Sequence, residues 1–590
     1  MQRLISSQAN ILCASIFALA LGLTGCQPPQ NTAQSNQPVN NAAANTTNTQ
    51  WDGYVNQFLN DYFAAHPDTA VYAGKHEFDG KLPDWSEDGL KKEIARLHAE
   101  RDKAIAFKAE TLDERQKLER DYLVAQIDKD LFWREIADQP HINPYFYADS
   151  IDPDVYVSRE YAPLETRIKS YTAYARNVPA ALQQIKANLK PPMAKTLIKI
   201  GRTTIGGLSD FYAKDVPGVF ASVKDEGLQK DFKEANDGAI KAVKDFDAYL
   251  SEQEKTANDN FALGADKFKR MLKDTEGVDI DLAKLEETGK QDLQRNTDAL
   301  KQECDKFAAG KTLQECMAKA SANKAEGANV VDAATKQLGD LRKFIQEKDI
   351  LTIPGTEQAK VAQAPPYKAW NFAYINIPGA FETGLPSTYY VSPPNPSWSK
   401  EKQDAYVPGK GSLLFTSVHE VYPGHFVQFL HANRSKSKFG QVFVGYAFAE
   451  GWAHYTEEMM YDSGLGANDP EMHIGQLQEA LLRNVRFLSA IGMHTKGMTI
   501  EESRKMFLEQ GFQDEGSAEQ QAERGTFDPA YLNYTMGKLM IRKLRDDWTA
   551  SRGGRAGWKQ FHDAFLQYGG PPIPLVRRAM MGAGDNGSLF

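Results

Sequence analysis

The chain has 590 residues, of which 42% are apolar and 25% charged, with a formal net charge of −9. These proportions are ordinary for folded globular proteins and exclude a wholly disordered, collagen-like or disulfide-rich chain. No long basic block is present, which argues against nucleic acid as a partner. The mean hydropathy of −0.52 excludes a membrane protein with many spans.

Residues 1–25 have the pattern of a lipoprotein signal peptide. A positive Arg3 precedes an apolar stretch at about 11–23, which is too short for a membrane span and fits a secretory signal. Small residues then precede Cys26, the predicted site of lipidation; an ordinary signal peptide that contains a cysteine is the alternative. Because Gln27 rather than aspartate follows, we expect attachment through the lipid at Cys26 to the outer membrane, facing the periplasm.

The remaining chain divides into a tether and a globule. Residues 26–50 are uncharged and rich in Asn, Gln, Pro and Ala, and they predict a disordered tether. Residues 51–590 predict one large, mainly α-helical globule with a deep cleft and a few short strands. The half that carries the metal site is expected to span about 370–550.

Periodicity predicts the elements of the globule in order. Apolar residues recur at helical spacing along 111–137 and 163–190, and the Lys-, Glu- and Ala-rich stretch 225–350 predicts several amphipathic helices. The stretch 376–410 is dense in Pro, Gly and Ser and predicts a long irregular segment, after which helices resume at about 411. Short extended segments are expected at three places: 349–354, 371–376 and 388–392.

Two cysteines, Cys304 and Cys316, lie in a stretch that is typical of two helices joined by a turn. An oxidising periplasm permits a disulfide between them. Closing a loop of this length stabilises a protein by about 3 kcal/mol at best. We expect the bridge, with two free thiols as the alternative.

The run Ser-Val-His-Glu-Val-Tyr-Pro-Gly-His at 417–425 resembles a zincin motif. In zincins, two histidines one helical turn apart bind zinc, and the adjacent glutamate is the base for the water that the metal activates. Here Pro423 stands where the second histidine is usual, and His425 lies two residues further on. An unbroken helix would separate His419 from His425 by about 9 Å along its axis and about 240° in rotation. The hypothesis therefore needs Pro423-Gly424 to break the helix.

A second run offers a third ligand. Glu450, His454 and Glu457 fall at i, i+4 and i+7, on one face of a helix. A catalytic zinc site needs one protein ligand besides two histidines, and it keeps one position open. Glu450 fits that role, and Glu457 and His454 are predicted to orient the ligand imidazoles. A solvated polar face is the alternative, but the apolar neighbours such as Trp452 indicate burial, and buried carboxylates need partners.

The two runs together, His-Glu-x-x-Pro-Gly-His at 419–425 and Glu-Gly-Trp-Ala-x-Tyr-x-Glu at 450–457, resemble the bacterial family named for domain of unknown function 885. Members of that family are often lipoproteins and resemble zinc metallopeptidases. Further similarity lies in 482–486, 492–498 and 534–538. The resemblance implies a mainly helical zincin-like protein that binds one Zn²⁺ per chain through His419, His425 and Glu450, with Glu420 as the general base.

The resemblance also implies roles outside the ligand set. Tyr534 and His494 are candidates to donate a hydrogen bond to the oxyanion that forms when water attacks a carbonyl; for Tyr534 a place in the core is the alternative. The chain departs from the family pattern at Asn484, in the arginine motif, and at Ala490, where the family has aspartate. The second departure argues against His494.

Arg483 and Arg486 stand three residues apart on one helix face. A guanidinium binds a carboxylate through two parallel hydrogen bonds. Either arginine is therefore predicted to bind a substrate carboxylate. The alternative is an ion pair with Glu457, Glu479 or another carboxylate of the protein.

The predicted function is a lipid-anchored, zinc-dependent metallohydrolase, in the first place a peptidase that cleaves short peptides or other small amides with Glu420 as general base. A metal-dependent amidase or esterase on a non-peptide substrate is one alternative. A non-catalytic helical binding or scaffold lipoprotein of the cell envelope is the other. Mixed histidine and carboxylate ligands also suit manganese and cobalt, and zinc is preferred for its availability. The oligomeric state has no signal in the sequence.

Overall fold

The computed structural model describes residues 41–590 apart from residues 326, 328, 380 and 583, and it describes side chains from residue 49 onward. The predicted signal peptide, Cys26 and residues 26–40 of the predicted tether lie outside the described residues. Helix α1 (Asn41–Ala65) begins inside that tether, so residues 41–50 are helical. The packed part of α1 starts at Trp51, which is fully buried.

The first part of the chain is a series of helices around a tyrosine-rich core. The predicted helices at 111–137 and 163–190 are confirmed as α4 and α7. Helix α4 starts at a capping box in which Asp113 accepts from the backbone of Gln116 at 2.8 Å and Gln116 accepts from the backbone of Asp113 at 3.3 Å. The helices after α1 are α2 (Pro67–Tyr72), α3 (Glu87–Ala106), α4 (Glu114–Leu131), α5 (Gln139–Ile142), α6 (Asp154–Ser158), α7 (Leu164–Asn188), α8 (Lys195–Gly201), α9 (Leu208–Lys214) and α10 (Val216–Phe220).

The stretch 225–350 forms amphipathic helices, as its periodicity predicts. Each buries one apolar stripe and exposes Lys and Glu on the other face. Cys304 at the end of α13 and Cys316 in α14 are joined as a disulfide. The helices are α11 (Glu226–Gln253), α12 (Ala265–Glu276), α13 (Leu282–Phe307), α14 (Leu313–Ala322) and α15 (Val330–Lys348).

A three-stranded sheet follows, of β1 (Ala359–Gln363), β2 (Ala373–Asn376) and β3 (Ser387–Val391). The central strand β3 pairs parallel with β1 and antiparallel with β2. The expected extended segments at 371–376 and 388–392 match β2 and β3, whereas the one at 349–354 is wrong. There the Thr352 amide donates to Asp563 at 2.7 Å and the Thr352 carbonyl accepts from His431 at 2.7 Å, so side chains take the place of a strand partner.

Helices resume through the last part of the chain and carry the predicted chemistry. They are α16 (Lys400–Tyr406), α17 (Lys410–Glu420), α18 (His425–Ala432), α19 (Lys438–Val442), α20 (Tyr446–Asp462), α21 (Pro470–Thr495), α22 (Ile500–Glu509), α23 (Glu515–Phe527), α24 (Asn533–Ala550), α25 (Trp558–Leu566) and α26 (Ile573–Met581).

The largest hydrophobic core joins α17, α18, α20, α21 and α24 around the centre of the molecule. Helices α20 and α24 cross at two glycines, where a Cβ on Gly451 would lie 2.5 Å from the Cα of Gly537. Helix α20 is buried on its other faces as well, since Glu450 is 2% and Glu457 0% exposed. Carboxylates placed there are buried and need charged or hydrogen-bonding partners.

Helices account for 71% of the residues, which confirms the predicted mainly α class. Within the part of the chain that the structure describes, no helix combines the length and the apolar character that a membrane crossing requires.

Candidate metal centre

A sharp break between α17 and α18 places two histidines side by side. Helix α17 ends at Glu420, a cis peptide precedes Pro423, and α18 starts at His425. The amide of Gly424 donates to the carbonyl of Val418 at 2.9 Å, which folds the chain back onto the end of α17. As a result the ring centroids of His419 and His425 lie 4.9 Å apart. The break at Pro423-Gly424 therefore brings His425 beside His419, as the zincin-like hypothesis requires.

Gly424 is needed here for space rather than for a left-handed backbone. Its φ is −68°, but a Cβ at this position would overlap the carbonyl oxygen of His419. Neighbouring α20 fixes the turn as well, because the indole of Trp452 donates to the carbonyl of Pro423 at 3.0 Å.

We expect Gly424→Ala to destabilise the protein by about 1–3 kcal/mol and to weaken metal binding, because the added methyl pushes the His425 segment away from His419. Urea unfolding and metal content of the purified protein measure the two effects. Gly339→Ala is the control, since Gly339 lies in α15 with open space around it. Equal behaviour of the two variants would contradict this account of the turn.

Three predicted ligands converge at this break. One carboxylate oxygen of Glu450 lies 3.2 Å from Nε2 of His419 and 3.0 Å from Nε2 of His425. The potential ligand atoms all lie within 4.8 Å of one another, and none of the three residues is more than 3% exposed. Burial raises the pKa of Glu450, but the two histidines outweigh it and hold the pKa well below its usual range. The cluster therefore presents two nitrogens and an ionised oxygen to one point.

Glu457 contacts the first of these histidines. Its Oε1 atom lies 2.7 Å from Nδ1 of His419, and its Oε2 atom lies 3.1 Å from Nδ1 of His454. The guanidinium of Arg483 lies 3.4 Å from the same Oε1. A proton held on Nδ1 by a carboxylate leaves Nε2 of His419 as the free lone pair. His454 completes this layer, and burial lowers its pKa to about 4, so it is neutral.

Glu420 is placed beside the cluster with spare hydrogen-bonding capacity. It is 5% exposed, and its Oε2 atom has no hydrogen-bond partner among the described residues. Burial raises the pKa of Glu420, and the nearby His425 and His419 oppose that rise. A buried carboxylate oxygen without a partner is unusual in a folded protein. This is the position that the sequence predicts for the general base.

Tyr534 also lies at the site. Its ring is nearly parallel to that of His419, with centroids 5.9 Å apart. Its hydroxyl oxygen accepts a hydrogen bond from Arg524 at 3.2 Å. The proton of the hydroxyl is therefore free to be donated elsewhere.

Arg524 is a residue that sequence reasoning missed. It donates to the hydroxyl of Tyr446 at 2.9 Å as well as to that of Tyr534, and it forms an ion pair with Asp528 at 2.9 Å. The available signal was the pairing of Arg524 with Asp528 one helical turn later, directly before the predicted Tyr534 motif.

His494 does not join the cluster, which corrects its predicted role. Its Nδ1 accepts from the amide of Leu263 at 3.2 Å, and its Nε2 donates to the carbonyl of Gly525 at 2.7 Å. Burial lowers the pKa of His494 to about 4. Both ring nitrogens are occupied by backbone groups, so His494 is a neutral structural residue rather than an oxyanion donor. The absence of the family's aspartate at Ala490 agrees with this.

The two predicted substrate arginines have different surroundings. Arg483 forms ion pairs with Glu479 and Glu457, which is the alternative that the sequence left open. Arg486 packs against the ring of Tyr534, with the guanidinium carbon 4.6 Å from the ring centre. Of these two arginines, Arg486 is the one that has no carboxylate within ion-pair distance among the residues the structure describes.

The departure at Asn484 has a structural explanation. Its side chain donates to Asp292 at 2.9 Å and accepts from Asn296 at 2.6 Å. Lys538 of α24 donates to the same Asp292 at 2.8 Å. Asn484 thus belongs to a buried polar network that joins α13, α21 and α24.

A cavity of about 160 Å³ opens beside the site, between the N-terminal helices and the sheet. Tyr534 and Arg524 belong to its wall, together with aromatic residues, aspartates and two lysines: Tyr72, Tyr145, Tyr367, Trp370, Tyr374, Asp149, Asp152, Asp154, Lys81 and Lys368. A wider, open depression of about 590 Å³ near Arg202 and Asp247 contains none of the predicted site residues. The smaller cavity is therefore the one that shares Tyr534 and Arg524 with the candidate site.

The fold and site together define a large helical protein with a buried His-His-Glu cluster. The chain belongs to the family described as bacterial protein of unknown function (DUF885), whose model matches residues 67–580. No curated protein matches the chain.

Two solved structures share the fold. One is a predicted lipoprotein of unknown function from Shewanella oneidensis, with a TM-score of 0.73 and 23% identity over 90% of this chain and 99% of that one. The other is a predicted lipoprotein from Colwellia psychrerythraea, with a TM-score of 0.76 and 19% identity over 91% of this chain and 99% of that one.

Proposed function

We propose that the protein is a metal-dependent hydrolase that cleaves amide bonds of short peptides, with zinc as the resident ion. The observation that carries the proposal is the convergence of Nε2 of His419, Nε2 of His425 and a carboxylate oxygen of Glu450 beside the unpartnered oxygen of Glu420. A structural polar cluster of these three residues would not need a second carboxylate with a free oxygen next to it.

The donor set fits zinc. Two imidazole nitrogens and one carboxylate oxygen are a common ligand set of catalytic zinc, and a fourth position remains for a reactant. The hydrogen bond between His419 and Glu457 supports this, because ligand histidines usually give their other N–H to a carboxylate. Manganese and cobalt accept the same ligands, and availability favours zinc.

The residues of the chain then have separable tasks. A bound ion supplies Lewis acidity, which makes water more acidic and a carbonyl more electrophilic. Glu420 takes a proton from the attacking water on its free Oε2 and passes it to the leaving nitrogen. Tyr534 donates a hydrogen bond from its hydroxyl to the carbonyl oxygen as negative charge develops there, while Arg524 holds the phenol oxygen in place.

The cavity supports a small substrate. Its volume of about 160 Å³ suits a single side chain or terminal residue of a short substrate rather than a folded protein. The wall offers aromatic faces for apolar groups of a ligand and charged side chains for its polar groups. Ester or non-peptide amide hydrolysis would use the same residues, and substrate profiling separates it from peptide hydrolysis.

We also propose that the protein is anchored to the outer membrane through a lipid at Cys26, on the side that faces the periplasm. The signal-like pattern of 1–25 supports this, and the two structural neighbours are themselves described as lipoproteins. Metabolic labelling with a palmitate analogue, with Cys26→Ser as the control, tests the anchor.

Metal content is the direct test of the centre. We expect about one zinc per chain in the wild-type protein and almost none in His419→Ala or His425→Ala, because each loses one of three ligands. His431→Ala is the matched control: His431 lies on the same helix as His425, but its ring donates to the carbonyl of Thr352. A wild-type protein without metal after expression with zinc, or a His425→Ala variant with full metal, would refute the centre.

A further inference from the structure

Arg486 is a buried cation without an acidic partner. It lies on α21 and is 4% exposed. Within the described part of the chain its one side-chain hydrogen bond runs from Nε to the side-chain amide oxygen Oε1 of Gln521, at 2.8 Å. A buried charge is costly unless it is paired, so proteins seldom keep one without a counter-charge.

The neighbours of Arg486 do not supply that counter-charge. The acids nearby are engaged by other cations, Glu457 and Glu479 by Arg483 and Asp528 by Arg524. Burial lowers the pKa of Arg486; Tyr534 opposes this shift, whereas the positive charges of Arg524 and Arg483 add to it. The face of Tyr534 gives some cation–π stabilisation. An anion that enters the site would supply the remaining stabilisation of the Arg486 charge.

Arg486 lies close to the candidate metal centre, separated from it by the ring of Tyr534. The ring of Tyr534 contacts both Arg486, at 4.6 Å, and His419, whose ring centroid is 5.9 Å away. Tyr534 also lines the cavity, together with Arg524. An anion held by Arg486 therefore lies one aromatic ring away from the proposed site of bond cleavage.

We propose that Arg486 binds the C-terminal carboxylate of the substrate, so that the enzyme cleaves bonds close to the free C-terminus of a short peptide. The two terminal nitrogens of Arg486 have no hydrogen bond to the described residues, while Gln521 fixes Nε. A guanidinium in that state offers the parallel pair of donors that matches a carboxylate. This inference rests on the proposed function, since it names the substrate class of the same site.

The test separates binding from turnover. Zinc-loaded protein with the single substitution Glu420→Gln is titrated calorimetrically with tripeptides of varied side chains, each as the free acid and as the C-terminal amide. We expect the amides to bind at least about tenfold more weakly, since they lose a charge-assisted bidentate interaction. Adding Arg486→Gln should remove the difference, and Arg486→Lys should restore only part of it, because lysine keeps the charge without the paired geometry.

A second buried arginine serves as the matched control. Arg545 is 6% exposed and is paired with Asp546 and Tyr455, away from the cavity wall. Arg545→Gln should keep the preference for free acids. Zinc content and thermal unfolding of each variant show that the site and fold are intact.

The outcomes separate this inference from the proposed function. Equal binding of acids and amides, binding of neither, or a preference that survives Arg486→Gln would overturn the role of Arg486. If chloride weakens the binding of free acids and of C-terminal amides equally, Arg486 binds an inorganic anion, and its proposed role is again overturned. If wild-type protein hydrolyses no peptide while the Arg486-dependent preference persists, the hydrolase proposal fails alone. If it hydrolyses acids and amides equally, the carboxylate site fails alone.

Discussion

Replacing Glu420 by glutamine is expected to lower the turnover of a peptide substrate by about 10²–10⁴-fold, the usual contribution of a general base. Glutamine keeps the size of the side chain but does not accept a proton from water at neutral pH. Because Glu420 is not among the three converging ligands, the variant should keep about one zinc per chain and its thermal stability. Steady-state kinetics on a peptide library, with zinc analysis of the same samples, measures both.

Glu276→Gln is a suitable control for Glu420→Gln. Glu276 is also buried, at 1% exposure, and also has one carboxylate oxygen without a partner in the described residues. Burial raises its pKa to about 7, so a neutral amide is a fair replacement, and its contacts are to Ala447 and Asn533 rather than to the ligands. We expect near-wild-type turnover. A Glu420→Gln protein that is as active as this control would favour a metal of purely structural use in a scaffold protein.

Tyr534→Phe is expected to lower kcat by about 10²–10³-fold with a smaller effect on KM, as the loss of one oxyanion donor does in other hydrolases. The substitution removes one oxygen and leaves the ring that packs on His419 and Arg486. Since the hydroxyl proton is donated only as charge develops on the carbonyl oxygen, its loss should affect the transition state more than substrate binding.

The control for Tyr534→Phe is Tyr446→Phe. Tyr446 accepts from the same Arg524, but its own proton is donated to Asp528 at 2.7 Å. Its removal should therefore change turnover little. Comparable losses in the two variants would indicate that the tyrosines act through the position of Arg524, and unchanged turnover of Tyr534→Phe would remove this residue from the proposed mechanism.

Local patterns predicted the regular helices well. The predicted helices at 111–137 and 163–190 correspond to α4 and α7, because apolar spacing acts over one or two turns. The extended segment expected at 349–354 failed for the opposite reason. Its apolar residues are buried, but the backbone of Thr352 is satisfied by Asp563 and His431, which are far away in the sequence.

At the candidate site, too, local patterns were predictable from the sequence and long-range contacts were not. The sequence indicated His419, His425, Glu450 and Glu457 from residue chemistry and helical spacing, and the structure brings these four together. It placed His494 wrongly, since nothing local shows that Leu263 and Gly525 occupy both nitrogens. Conversely, it missed Arg524, whose contacts with the two tyrosines exist only after α20, α23 and α24 pack.

The sequence by itself determined which side chains can act as ligands, base and donors, and which helices carry them, because both depend on residue type and short-range spacing. Only the tertiary structure decided that the Pro423-Gly424 turn returns His425 to His419 and that α20 brings Glu450 to both. It also decided that Arg483 is neutralised while Arg486 is not. These outcomes depend on long-range packing, in which the burial of one side chain fixes the partners left for another.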